Sequence, residues 1–196
     1  METEVQQLEE RIKSSILNRE LSTIEFYNIN DKYWVFDEER VWVLDCGIEL
    51  SFGSDVFSFG WSAGKELYEH HFGKLEELKD EIEIKALHAM EVEGIKELCG
   101  KKISDVKIRW NFYHDLDENY EPTEHKNYMP MEMFLTFENG STLQLAAIRF
   151  RVDTQNKTID NVTFDSTGDF LVALNHPFEI GEEDSDGESM INEELI

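Results

Sequence analysis

The sequence has few cysteines, few prolines and little positive charge. Its 196 residues include two cysteines, three prolines and 18 Lys and Arg against 43 Asp and Glu. Cys46 and Cys99 are too few for a disulfide framework, so we expect both to be reduced, buried thiols. The polar, acidic start from Met1 to Glu4 is unlike a secretory signal, and no apolar run reaches the ~18 residues of a membrane helix. These absences predict a cytoplasmic protein.

The shortage of basic residues gives the chain a formal net charge of −25 and a pI of about 4.4. Such a surface repels nucleic acid and anionic membranes, and it attracts basic proteins over a Debye length of roughly 8 Å at physiological salt. Lys101–Lys102 and Lys107 to Arg109 are the only concentrated basic positions, and they form too small a positive field for DNA or RNA. We therefore expect no nucleic-acid and no membrane partner, whereas a basic protein partner suits the charge.

The composition changes at residue 181. Residues 181–196 contain seven acids and no base, which predicts a flexible, disordered acidic tail. These seven acids account for −7 of the −25, so −18 belongs to residues 1–180. With 40% hydrophobic and 12% aromatic residues, the chain can bury a core. We expect residues 1–180 to form a single domain.

The hydrophobic pattern predicts two helices. An apolar stripe at spacings of three and four predicts an N-terminal helix over 4–18, packed on the body; the stripe comprises Val5, Leu8, Ile12 and Ile16. A similar face from about Ser62 to Lys79 predicts a central helix. Gly94 to Gly100 is expected to hold a short helical turn.

Alternation of apolar and polar residues predicts two groups of strands. The first is a β-meander from Ser22 to Trp61, whose neighbouring strands should pair antiparallel. The second begins with a strand at Ile82–Val92 and includes a hairpin around Asn139-Gly140. Its further members are strands at 106–112, 131–137 and 142–152 and a last hairpin formed by 157–164 and 170–174. The fold class is thus α+β, predominantly antiparallel sheet with an N-terminal and a central helix.

His114 to Tyr128 is predicted to be a long polar loop. Its acids alternate like the first ligands of a calcium loop, but Tyr120 occupies the glycine position and Lys126 the position of the closing glutamate. This favours a solvated acidic loop over a calcium site. We expect its acids to contact a partner, namely Asp115, Asp117, Glu118, Glu121 and Glu124.

No motif in the sequence specifies a reaction. The chain lacks G-x-S-x-G, the phosphate-binding G-x-x-x-x-G-K-[ST] and G-x-G-x-x-G after a strand. His70 and His71 diverge on a helix, whereas His114 and His125 beside loop carboxylates could form a mixed metal site. Lysines near Cys99 could lower the pKa of its thiol, although a buried cysteine explains the residue equally well. We assign no catalytic, cofactor or metal residue.

Part of the chain resembles a group of known proteins. Ile95 to Ile103, the strand that ends at Phe112 and Phe137 to Gly140 are similar to small bacterial β-rich domains, including some immunity proteins that accompany secreted toxins. The resemblance covers about a quarter of the chain and carries no catalytic residue. It implies a soluble, non-catalytic protein-binding module that neutralises a basic toxin such as a nuclease.

Two other functions are compatible with the sequence. One is a metal-dependent hydrolase that uses His114, His125 and the loop carboxylates. The other is an acidic domain of unknown function without a specific partner. A homo-oligomer is compatible with each of them.

Overall fold

The computed structural model describes residues 2–29, 34–36, 40–62, 67–75, 85–87, 89, 92–119, 121–153 and 158–181. This part of the chain contains the helices α1 (Glu2–Ile16) and α2 (Glu93–Lys96). Its strands are β1 (Thr23–Asn28), β2 (Trp34–Phe36), β3 (Val41–Leu44), β4 (Gly47–Phe52), β5 (Asp55–Ser62), β6 (Leu67–His71), β7 (Lys85–Leu87), β8 (Ile103–Leu116), β9 (Pro122–Phe137), β10 (Thr142–Asp153), β11 (Thr158–Phe164) and β12 (Asp169–Leu174). Neither of these helices is long and apolar enough to span a membrane.

The described strands form two antiparallel sheets. Sheet I has the order β6-β5-β4-β1-β7; sheet II has the order β2-β3-β12-β10-β9-β8, with β11 paired to β10. The main core lies between them, where aromatic rings from opposite sheets meet. The ring centroids of Phe26 and Trp42 are 5.4 Å apart, and those of Phe59 and Phe170 are 5.0 Å apart in an edge-to-face arrangement. The predominantly antiparallel fold is confirmed.

The predicted meander is wrong in part, because the chain changes sheet between β3 and β4. β2–β3 and β4–β5 are hairpins, but β1 pairs with β4 and β7 rather than with β2. Gly47 permits the change: its φ is +144°, and a Cβ there would lie 2.3 Å from the carbonyl oxygen of Phe59. The buried side chain of Asn28 accepts a hydrogen bond from the backbone N–H of Asp45. The first group of strands is therefore divided between the sheets.

Helix α1 packs on the main core through its apolar stripe. Val5, Ile12 and Ile16 are buried there. The helix ends at Ile16, two residues before the predicted end, because Asn18 adopts a φ of +59° and its N–H donates to the carbonyl oxygen of Ile103. Beyond its last turn, the chain is thus joined to the start of β8.

The predicted central helix is wrong over residues 67–71, which form strand β6. Five registered pairs join it to β5, from Ser58↔His71 to Ser62↔Leu67. Pairing with an available sheet edge overrides the local spacing of apolar residues. Residues 63–66 and 76–80 lie outside the described part. Of the predicted strand Ile82–Val92, Lys85–Leu87 forms β7, and most of the remainder lies outside the described residues.

The outer face of sheet II carries a second apolar cluster, which residues 176–181 cover. Phe178 donates its N–H to the side-chain oxygen of Gln144 (2.7 Å) and accepts a bond from the Gln144 amide (2.9 Å). Gly181, predicted to begin the tail, forms a bridge with Thr163. Residues 182–196 lie outside the described part. The predicted final hairpin is also wrong, because β11 and β12 both pair with β10.

Candidate functional site

The acids predicted to contact a partner lie on an extended two-stranded ribbon. The predicted loop His114 to Tyr128 is wrong, since β8 continues to Leu116 and β9 starts at Pro122. The two strands stay paired to the tip, whereas β10 pairs with β9 only between Glu132 and Thr136. We call residues 113–127 the acidic arm. It carries five acids and one lysine.

The tip of the acidic arm is closed by Asp117. Its Oδ1 accepts hydrogen bonds from the N–H groups of Asn119 (2.8 Å) and Glu121 (2.9 Å), and its own N–H donates to the carbonyl oxygen of Glu121. These backbone hydrogen bonds lower the pKa of the Asp117 carboxyl, which keeps it ionised. Asp117 therefore shapes the turn, while Glu118 and Glu121 beside it are exposed.

One face of the acidic arm joins Asp115 to the opposite strand. Its Oδ1 accepts a hydrogen bond from Asn127 Nδ2 at 2.7 Å, and its Oδ2 lies 3.9 Å from His125 Nε2. All the expected contact residues are exposed in the structure: Asp115, Asp117, Glu118, Glu121 and Glu124. Five carboxylates are thus displayed within a short length of ribbon.

The other face of the ribbon is aromatic and carries the arm's lysine. Lys126 Nζ lies 3.9 Å from the centroid of the Phe112 ring, and Tyr128 and His114 also contact that ring. His114 Nδ1 donates to the carbonyl oxygen of Thr123 at 2.6 Å, which defines its tautomer. The ammonium is therefore on the face opposite Asp115.

The two histidines of the alternative metal site lie on opposite faces of this ribbon. His114 contacts Phe112, whereas His125 faces Asp115. Within the described residues, no group of three or more His, Cys, Asp or Glu side chains is placed to hold a metal ion. The arrangement of the arm gives no support to a hydrolase centred on this pair.

The remaining sequence candidates are not residues of the arm. His70 and His71 are on a strand rather than a helix, and the ring of His70 stacks 6.4 Å from that of Phe57. Cys46 and Cys99 do not form a disulfide; Cys46 is buried, whereas Cys99 is only partly buried. Burial raises the pKa of Cys99 and raises that of Cys46 to about 12, so neither is an activated thiolate.

Of the basic positions singled out in the sequence, Lys107 and Arg109 lie in β8 of sheet II, whereas Lys101 and Lys102 precede that strand. Arg109 lies over the Phe164 ring, with 4.4 Å between its guanidinium carbon and the ring centroid, and it is registered opposite the buried Glu132. Burial raises the pKa of Glu132, whose side chain also accepts a hydrogen bond from Gln144. Arg109 therefore faces an internal carboxylate.

Comparisons of the chain with known protein families, with curated proteins and with solved structures give no match.

Proposed function

We propose that this protein is a non-catalytic binding module whose acidic arm docks a basic protein partner. Its most concrete form is an immunity protein that neutralises a basic toxin such as a nuclease. The observation that carries the proposal is the exposure of five carboxylates on one paired ribbon, against a single lysine. Long-range attraction by such a patch accelerates association with a cationic surface.

Pairing of β8 with β9 supports the proposal because it orders the acids before a partner arrives. The hydrogen bonds of Asp115 with Asn127 and of Asp117 with the tip backbone hold two of the five carboxylates in place. A prearranged surface loses less conformational entropy on binding than a mobile loop would. The ribbon is therefore a better docking element than the loop predicted from the sequence.

The proposal is tested by neutralising the acidic arm. The arm variant combines D115N, D117N, E118Q, E121Q and E124Q; the amide that D117N introduces keeps an oxygen that can close the tip. A matched control changes five exposed acids elsewhere: E10Q, E20Q, E97Q, E138Q and E179Q. The probe is the basic protein encoded beside this gene, and association rates are measured by stopped flow from 50 to 500 mM NaCl.

We expect the arm variant to associate about tenfold more slowly at low salt and to show a flatter salt dependence, while the control changes by about twofold. If the association rate falls equally in both variants, the effect depends on total charge, and the arm is rejected as the docking site. An association rate that does not change with ionic strength would reject electrostatic steering. Absence of a basic protein among the neighbouring genes would reject the toxin form.

A further inference from the structure

A cavity of about 440 Å³ lies where three elements meet, and none of its lining residues belongs to the acidic arm. Its walls are the last turn of α1 with Arg19, the β4–β5 turn, and residues 72–74 after β6. Cavities of roughly 300–1,000 Å³ are the usual size of small-molecule sites in proteins. The volume is therefore sufficient for a small organic ligand.

The cavity contains a guanidinium held in one position. Arg19 Nη2 donates to the carbonyl oxygen of Phe52 (2.7 Å) and to Asp55 Oδ2 (2.9 Å), and Nη1 donates to the carbonyl oxygen of Ser15 (3.1 Å). The guanidinium carbon also lies 5.2 Å from the centroid of the Phe52 ring. Arg19 is thus fixed before any ligand binds.

The described residues that line the cavity carry a net positive charge, opposite in sign to that of the whole chain. Lys74 lines it, is exposed, and has no ion pair with another described residue. Arg11 does not line the cavity itself but packs on the lining residue Phe72, with its guanidinium carbon 4.0 Å from the centroid of that ring. Among the described lining residues, the cations Arg19 and Lys74 stand against one carboxylate, Asp55. In a protein of net charge −25, this is a local cationic site.

The lining also includes three aromatic rings and one aliphatic side chain, beside the hydroxyls of Ser15 and Ser54. Phe57 is buried, whereas Phe72 is 38% exposed and meets the Phe57 ring edge-to-face at 5.8 Å. Phe52 and Val56 complete this side. A ligand in the cavity would therefore contact an apolar wall and cationic groups at the same time.

The wall formed by residues 72–74 is anchored to the outer face of sheet I. The Gly73 carbonyl oxygen accepts a hydrogen bond from Ser58 Oγ (2.9 Å), and the buried Glu49 accepts one from the N–H of Leu75 (2.5 Å). Leu75 is itself buried against Tyr27 and Cys46. These contacts attach this wall of the cavity to sheet I.

We propose that this cavity binds a small organic carboxylate with an apolar body. The carboxylate pairs with Lys74 and with the Arg19 guanidinium, and the apolar body packs on the exposed ring of Phe72. Charge-assisted hydrogen bonds supply orientation, and burial of the apolar body supplies affinity. The site is independent of the acidic arm and of any protein partner.

Paired probes test this assignment: 3-phenylpropionate and its neutral analogue 3-phenylpropanamide, titrated into the full chain and followed by amide NMR shifts. We expect the carboxylate to bind at least about fivefold more tightly than the amide, with shifts centred on Phe52, Asp55 and Lys74. K74M should remove this preference. K96M, at an exposed lysine of α2, should retain it, as should the arm variant.

Lys74 is the chosen variant because Arg19 also holds α1 to β4, and its loss could unfold the chain. Equal affinity for the two probes would overturn the proposal. Shifts centred outside the cavity would overturn it too, as would a K74M protein that still prefers the carboxylate.

Discussion

At the scale of single residues, the carboxyl of Asp169 is repelled by those of Asp165, four residues earlier, and of Asp45, which is distant in sequence. Asp165 is 7% exposed; its Oδ1 accepts two hydrogen bonds from Thr167, and its Oδ2 pairs with Arg149 at 2.6 Å. Burial, followed by repulsion from Asp45 and Asp165, raises the pKa of Asp169 to about 6. Burial also raises the pKa of Asp45. Asp169 therefore binds a proton more strongly in the folded than in the unfolded chain.

Asp169 should make folding stability fall as the pH rises from about 4 to about 6. Below pH 4 the carboxyl is protonated in both states; above it the unfolded state loses its proton first, which favours unfolding. D169N removes this effect. The free energy of unfolding of D169N minus that of wild type should be about 1–2 kcal/mol larger at pH 7 than at pH 4, measured by urea denaturation, so the variant is relatively more stable at the higher pH.

The control for this pH series is D105N, at an exposed aspartate of β8. Its free energy of unfolding relative to wild type should stay nearly constant across the same range. A D169N protein that behaves like D105N would show that the carboxyl is not destabilised by its surroundings.

At the scale of elements, the passage from β3 to β4 decides how the strands are distributed. Gly47 is paired with Gly60 of β5, and the N–H of Trp61 donates to the carbonyl oxygen of Cys46 at 2.7 Å. Any side chain at residue 47 would meet backbone atoms of β5. This close contact, rather than the hydrophobic pattern, brings β4 into sheet I.

G47A should therefore destabilise the protein by more than about 3 kcal/mol, since it combines a positive φ with a clash against backbone. G53A is the matched control, because its φ is +69° but nothing lies within 4 Å of its Cβ position. It should cost about 1 kcal/mol. Both values come from chemical denaturation.

Failure of G47A to fold under conditions in which G53A folds would agree with this expectation. Equal losses of stability in the two variants would contradict this expectation, because they would show that the close contact between residue 47 and β5 does not add to the cost of the substitution.

At the scale of the whole molecule, negative charge exceeds what internal pairing can offset. Ion pairs in the described part include Lys13–Glu9, Arg19–Asp55 and Arg149–Asp165. Sequence places −18 on residues 1–180 alone. Mutual repulsion among such charges destabilises a compact state, and salt screens it.

The melting temperature should therefore rise with ionic strength, by about 3–8 °C between 20 and 500 mM NaCl. Calorimetry of wild type and of the arm variant measures this. Removing five negative charges should raise the melting temperature at 20 mM NaCl and reduce the further increase with salt. A melting temperature that falls with added salt would show that the ion pairs stabilise more than repulsion destabilises.

Local patterns predicted most strands but not their partners. The alternating residues of β4, β5 and β10 have one side toward the main core, so their period is visible in the sequence. The acidic arm has no such buried side over its distal half, and its strands were therefore predicted to be a loop. The five acids of the arm were selected as expected partner contacts from their charge alone, and that selection does not depend on the fold.

The cavity could not have been predicted, because its lining residues are spread from Ser15 to Lys74 with no shared spacing. Arg19 and Phe72 line the same cavity only because α1, the β4–β5 turn and β6 pack together in the folded protein. Apart from their charges, nothing in the sequence distinguishes these residues from other surface positions.

The sequence by itself determined the net charge, the abundance of strands, the N-terminal amphipathic stripe and the Asn139-Gly140 turn, because each depends on composition or on neighbours a few residues apart. Tertiary structure decided which strands share a sheet, that residues 67–71 form a strand, and that the arm is a paired ribbon. Those outcomes depend on contacts between distant segments, such as Gly47 against Phe59 and β6 against β5. Hydrophobic periodicity indicates whether one side of a segment is buried, but it carries no information about which distant strand pairs with that segment.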